Sequence, residues 1–227
     1  MERADEAVTL DSRGLAKNRI EALADGIFAV AMTLLVLDIK SPVNLRIDTT
    51  AGLIEHLVTL EHSFAMYAIS FVVLAIFWIA HHVQFHYIRH VDRRLLWMNM
   101  AFLLLVTFVP FSTDLLGDHG HLTLPVFVYG LNLIALGAML ALQLRYLGAH
   151  PAMAAADLTP SVTTEMRNEV WVYGAIPLLS MAISLYSPRI GMYSYLLLAI
   201  PTFAPSRLDR LLHPPERHKT DTPSEEP

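Results

Sequence analysis

Six stretches of the chain are apolar over lengths close to the thickness of a bilayer. They lie at about 20–39, 64–83, 95–116, 122–144, 170–186 and 190–203. A helix needs about 20 residues to cross about 30 Å of hydrocarbon. The last two stretches are short and are separated only by Ser187, Pro188 and Arg189, which predicts a tight helical hairpin. Composition agrees with membrane residence. Hydrophobic residues make up 54% of the 227 residues, charged residues 16%, and mean hydropathy is +0.45. A soluble domain carries about a quarter charged residues. There is no cysteine, so neither a disulfide framework nor a thiolate metal site can form. No small-residue cleavage site follows the first apolar run, which argues against a signal peptide.

The connections carry the topology signal. Arg3, Arg13, Lys17 and Arg19 precede the first stretch, and Arg89, Arg93 and Arg94 follow the second. Arg145 and Arg167 follow the fourth, and Arg207, Arg210, Arg217 and Lys219 follow the sixth. Only Lys40, Arg46 and Arg189 fall on the opposite side. Basic residues mark the cytoplasmic face, so both termini are expected there, as an even number of crossings requires. The expected organisation is a cytoplasmic leader at 1–18, a six-helix membrane domain at 19–206 and a disordered, charged tail at 207–227. Within the connection from Ser41 to His62, residues 53–60 are expected to form a short interfacial helix.

Polar groups inside the spans mark function or structure. Asp25 sits at the cytoplasmic edge of the first span. It is either a carboxylate in a wet vestibule or paired with a neighbouring helix, or else a helix-end acid favoured by the macrodipole. Val30, Leu34 and Leu37 follow i, i+4, i+7 spacing, extend back to Ile27 and Leu23, and have Thr33 beside them. Copies of such a stripe around an axis would stack apolar rings that gate by dewetting, although ordinary helix packing is the commoner meaning of the pattern. Gly26 and Ala22 form a small-xxx-small pair suited to close helix approach. The second span ends in Trp78, His81, His82, Phe85, His86 and His90. His86 and His90 read as interfacial. His81 and His82 lie deeper, and at least one needs a polar partner from another helix, Asp25 being a candidate. Asn99, Asn132 and Gln143 are candidates for interhelical hydrogen bonds. Pro110 frees a backbone carbonyl near Val106, with Thr107 close by. No phosphate-binding glycine loop, nucleophile elbow or zinc motif is present, and the basic residues are accounted for by topology rather than by nucleic acid.

Three ordered motifs carry a family resemblance. The run from Arg19 through Asp25, Val30, Thr33 and Leu34 to Leu37 resembles the first helix of the transmembrane protein 175 family of potassium leak channels. Its motif is Arg-x-x-x-Phe-Ser-Asp. Arg19 and Asp25 match, while Leu23 stands for the Phe and Ala24 for the Ser. Tyr67, Ser70, Phe71, Trp78, His81, His82 and Phe85 form the second match. Leu95, Leu96, Trp97, Asn99, Phe102, Pro110, Phe111 and Thr113 form the third. Together they cover the first three spans.

The resemblance implies an all-α membrane protein with six transmembrane helices per subunit, assembled as a homotetramer with the first helix lining a central pore. It implies a potassium-permeable, weakly selective cation leak channel, with sodium or protons as further permeant ions, and not an enzyme. Val30, Leu34 and Leu37 would form the constriction, with Thr33 flanking it as a selectivity position. Arg19, Asp25, Trp78, His81, His82 and Asn99 would form a cytoplasmic polar network. The substitutions at Leu23 and Ala24 and the small Val30 are expected to alter conductance or selectivity rather than abolish the pore. No cofactor or metal is implied, and no nucleic-acid partner. The expected location is the plasma (inner) membrane of a prokaryote. Two other classes stand beside this one: a secondary transporter, against which the uninterrupted first helix argues, and a metalloenzyme using His81, His82, His86 and His90.

Overall fold

The computed structural model describes residues 2–39 and 49–202. The described residues are almost entirely helical. Helix α1 spans Glu2–Leu34 and tightens into a 3-10 turn at Leu35–Asp38. Then come α2 (Thr50–Thr59), α3 (Glu61–His86), α4 (Arg93–His119) and α5 (Thr123–Ala149). A 3-10 turn at Pro151–Met153 leads to α6 (Pro160–Ser184), and the described part closes with α7 (Pro188–Ser194), a turn at Tyr195–Leu198 and α8 (Ala199–Thr202).

Among the described residues, four segments are long and apolar enough to cross a membrane: Lys17–Leu37, Glu61–His86, Arg93–His119 and Thr123–Ala149. They match the first four predicted spans. The fifth prediction falls in α6, whose first half carries Glu165, Arg167 and Glu169 and so dilutes its apolar character. The sixth differs more. One helix was expected over 190–203, but the segment is α7, a 3-10 turn and α8 in succession. Pro201 has no amide to bond the Leu197 carbonyl, so one α-helical hydrogen bond is missing where the turn at Tyr195–Leu198 meets α8. Helix α2 lies where the interfacial helix was expected. Its Thr49 hydroxyl caps it by accepting from the Gly52 amide at 3.1 Å, and Leu53, Ile54, Leu57 and Val58 are all exposed. Lys40, Arg46 and the tail at 207–227 lie outside the described residues.

The core is built from interlocking stripes. Helix α1 presents Ala24, Phe28, Ala31 and Leu35, spaced i, i+4, i+7 and i+11, into the groove between α3 and α4. The two small residues let the helix backbone come close, and Phe28 fills the groove. The outer flanks of the groove are uncovered: Phe64 and Phe71 are exposed on α3, and Trp97, Leu104, Phe108 and Phe111 on α4. Helix α5 packs on α4, and α6 on α5. At Gly191 the α6–α7 hairpin is so tight that a Cβ would lie 2.8 Å from the Ser180 carbonyl and 2.6 Å from Ser184 Cβ.

Hydroxyls link three helices within the bundle. Thr113 of α4 donates to Ser70 of α3 at 2.8 Å, and Ser70 lies 3.0 Å from the Tyr129 hydroxyl of α5. Tyr195 reaches back to the Val126 carbonyl at 2.7 Å. Of the predicted interhelical amides, Gln143 meets Gln84 at 3.5 Å, whereas Asn132 is buried without a partner among the described residues. Thr107 bonds the Leu104 carbonyl of its own helix, and Pro110 is accommodated within a continuous α4.

Asp92 starts α4. Its Oδ1 accepts from the Leu95 amide at 2.8 Å and its Oδ2 from the Tyr146 hydroxyl at 2.6 Å. Burial pushes this carboxyl up, but the Tyr146 hydroxyl, the Leu95 amide, nearby His150 and the Arg94 amide together hold it below the usual carboxylate range. A depressed value means that the stabilisation is present above the unfolded-state value and is lost as pH falls through the folded one. Asp92→Ala should cost about 1–2 kcal/mol through the lost cap. Thermal unfolding in detergent should show that loss near neutral pH and a narrowing gap to wild type in acid. A gap that did not change with pH would place the effect elsewhere.

Candidate pore helix and its polar anchor

Helix α1 has two unlike faces. Phe28 is 1% exposed and Leu35 0%, while Val30 is 57%, Leu34 43% and Leu37 71% exposed. Leu23 and Thr33 are exposed on the same side, and Ile27 is half-buried. The stripe read from spacing is therefore the face of α1 that its own subunit leaves uncovered. The Thr33 hydroxyl bonds back to the Val30 carbonyl at 2.8 Å, so it is held against the helix. Gly26 and Ala22 are also exposed, and a Cβ at Gly26 would meet nothing within 4 Å. Their small size serves no helix contact inside the subunit.

Below the apolar stripe, α1 is tied down by polar contacts. Trp78 Nε1 donates to Asp25 Oδ1 at 2.8 Å. Asp25 is exposed, and its partner is this indole rather than a histidine. His82 is exposed too, its ring 5.8 Å from that of Trp78. His81 is the buried one. Its Nε2 lies 2.8 Å from Asn99 Oδ1, and an amide oxygen there requires the ring nitrogen to donate. Phe102 stacks on the imidazole at 5.2 Å with a 4° interplanar angle, and Phe85 stacks at 4.3 Å. Phe28 of α1 touches both His81 and Phe102, with ring centroids 6.3 and 6.0 Å away. Two ties thus hold the helix, one through Asp25–Trp78 and one through Phe28 on the His81–Asn99 pair. Arg19 joins neither: it is exposed, and among the described residues no ion pair links it to Asp25. Lys17 and Glu21 make a loose pair at 3.8 Å nearby.

The reading from sequence passed over Phe28, Ala31 and Leu35, and named Ala24 only as a departure from the family motif. The signal for them was present, since they form the complementary i, i+4, i+7 stripe of the same helix. Among the described residues no three His, Cys, Asp or Glu side chains come close enough to share an ion. His86 sits instead 3.8 Å from Asp157.

Comparison with known proteins places this arrangement. The family model described as endosomal/lysosomal potassium channel TMEM175 matches residues 19–110, from the second half of α1 to most of α4. Potassium channels of Streptomyces collinus and Chamaesiphon minutus are each 43% identical over 101 residues, 44% of this chain. The matched stretch spans about half the length of those two curated relatives, 48% and 49%. The crystal structure of a lysosomal potassium-selective channel TMEM175 homolog from Chamaesiphon minutus superposes with a TM-score of 0.67. It is 30% identical, and the match covers 82% of this chain and 95% of that one. The chain belongs to the TMEM175 family. A second TMEM175 crystal structure, at 20% identity and a TM-score of 0.56, shares the fold. In this TMEM175 chain the Ser of the family motif is Ala24, and that position is buried against the core.

Proposed function

We propose that the chain is one subunit of a potassium-permeable, weakly selective cation leak channel, a homotetramer with α1 of each copy lining a central pore. The observation that carries this reading is the two-faced α1. One face is buried to completion, and the other offers Val30, Leu34 and Leu37 to something outside the subunit, directly above an exposed carboxylate. Lipid is a poor neighbour for Asp25, whereas a water-filled vestibule suits it. Four copies around an axis would stack these side chains as apolar rings, with Thr33 flanking them. Asp25, Trp78, His81, His82 and Asn99, with Arg19 at the rim, would set the position of each helix at the cytoplasmic mouth.

Rings of aliphatic side chains offer an ion no ligands, so they dewet when narrow. An opening just wide enough for a partly hydrated ion favours potassium, because potassium is larger and sheds water at lower cost than sodium. Selectivity is then modest. A transient file of water through the same rings also conducts protons. Each subunit crosses the membrane six times, with α6 and the α7–α8 segment as the last two crossings. Both termini are cytoplasmic, in the inner membrane of a prokaryote.

Purified protein in liposomes with opposed potassium and sodium gradients tests this. A potassium-favouring reversal potential is expected. A well-folded assembly that passes neither ion sinks the reading.

A further inference from the structure

At the cytoplasmic end of the bundle a second apolar cluster stands apart from the main core. Phe85, Ile88, Leu95, Leu147 and Met153 are buried in it, and Ile20 of α1 packs on its edge together with Leu158. The α5–α6 connection closes over this cluster as a strap. Residues 88 and 154 form an antiparallel bridge, with Arg89 N donating to Met153 O and Ala155 N to Tyr87 O, both at 2.8 Å. Farther along, Asp157 faces His86 at 3.8 Å. The strap therefore grips the turn between α3 and α4, and through the shared cluster it bears on the inner end of α1. Arg19, Ala22 and Leu23 beside Ile20 are exposed, so Ile20 is a main point of purchase on that end of the helix.

We propose that residues 150–158 are a latch on the pore helix. Seated, the strap holds Ile20 and keeps α1 in its packed position. Displaced, it frees the inner end of α1 to tilt and widen the apolar rings. The bridge is small, two backbone bonds on a cytoplasmic surface, which suits an element that must open and close. This inference rests on the reading of α1 as the pore-lining helix.

The absence of native cysteine makes the latch addressable. The two flanking bonds make Ile88 and Ala154 a non-hydrogen-bonded pair, whose Cα atoms stand about 4.5 Å apart, within disulfide reach. In Ile88→Cys/Ala154→Cys protein reconstituted in liposomes, oxidation should lower potassium flux about fivefold or more, and a reductant should restore it. Met153→Ala, which loosens the cluster without a cross-link, should raise flux while leaving the potassium-to-sodium ratio unchanged. Equal flux from oxidised and reduced protein, with the disulfide verified by loss of free thiols, overturns the latch. So does a pair that cannot be oxidised, because the bridge places the two residues in bonding range. If the double variant does not fold, unchanged flux in Met153→Ala overturns it. A wild type that carries no potassium removes the channel reading and the latch together. A conducting wild type with an indifferent cysteine pair removes the latch alone.

Discussion

Alanine at Leu34 should raise potassium conductance about tenfold and lower the preference for potassium over sodium. Leu34 and Leu37 are the bulkier members of the exposed stripe. In the proposed ring, trimming Leu34 in every copy would widen the apolar passage on all sides at once. Conduction there is limited by the cost of stripping water from the ion and of keeping the gap wet. Lowering that barrier by about 1.4 kcal/mol multiplies the rate tenfold. Sodium holds its water more tightly, so a wider ring benefits sodium more and selectivity falls. Stability should hardly change, because Leu34 is exposed within its subunit and substitutions at such positions usually stay within about 0.5 kcal/mol. The pairing of large conduction effect with small stability effect distinguishes a pore lining from a packing surface. Bilayer recordings of Leu34→Ala and Leu37→Ala under bi-ionic conditions provide the check. Unchanged reversal potentials in both would mean that the stripe is not the filter.

Phe28→Ala should behave in the opposite way, costing about 3 kcal/mol of stability. The ring is buried between α1, His81 and Phe102. Its removal opens a cavity that the two neighbouring rings, fixed by stacking and by the His81–Asn99 bond, cannot fill. The lower part of the range for such losses applies, since lipid is as apolar as the core and mainly packing contacts disappear. Thermal unfolding in detergent should show a clear drop for Phe28→Ala and a smaller one for Phe28→Leu. Wild-type stability in Phe28→Ala would remove Phe28 as the anchor of α1.

Much of this architecture was legible in the sequence because membrane helices announce themselves by length and apolarity. The first four spans are of that kind. The outward stripe of α1 was readable from spacing, but spacing alone does not say which of two complementary stripes faces the core. That depends on where Phe28 finds a groove. His81 and His82 differ by one position, hence by about 100° around the helix, and only the packing of α3 against α4 decides which is buried. Asp25, Trp78, His81, His82 and Asn99 were grouped in one polar network from the resemblance, but which of them bond one another depends on interhelical distance: Asp25 meets Trp78, and His81 meets Asn99. The broken segment after α6 was hidden by its hydropathy, which stays high through Pro201. The strap at 150–158 left no periodic signal, since a single bridge between two loops has no period to read.

Helix α1, seated between α3 and α4, gives each chain two different sides. In the proposed ring, every seam then joins the α3 side of one copy to the α4 side of the next, so no seam is self-matching. Consider one variant crippled on its α3 side and another crippled on its α4 side. A ring of either alone has every seam spoiled once. A ring in which the two alternate gathers both faults into the same seams and leaves the remaining half intact.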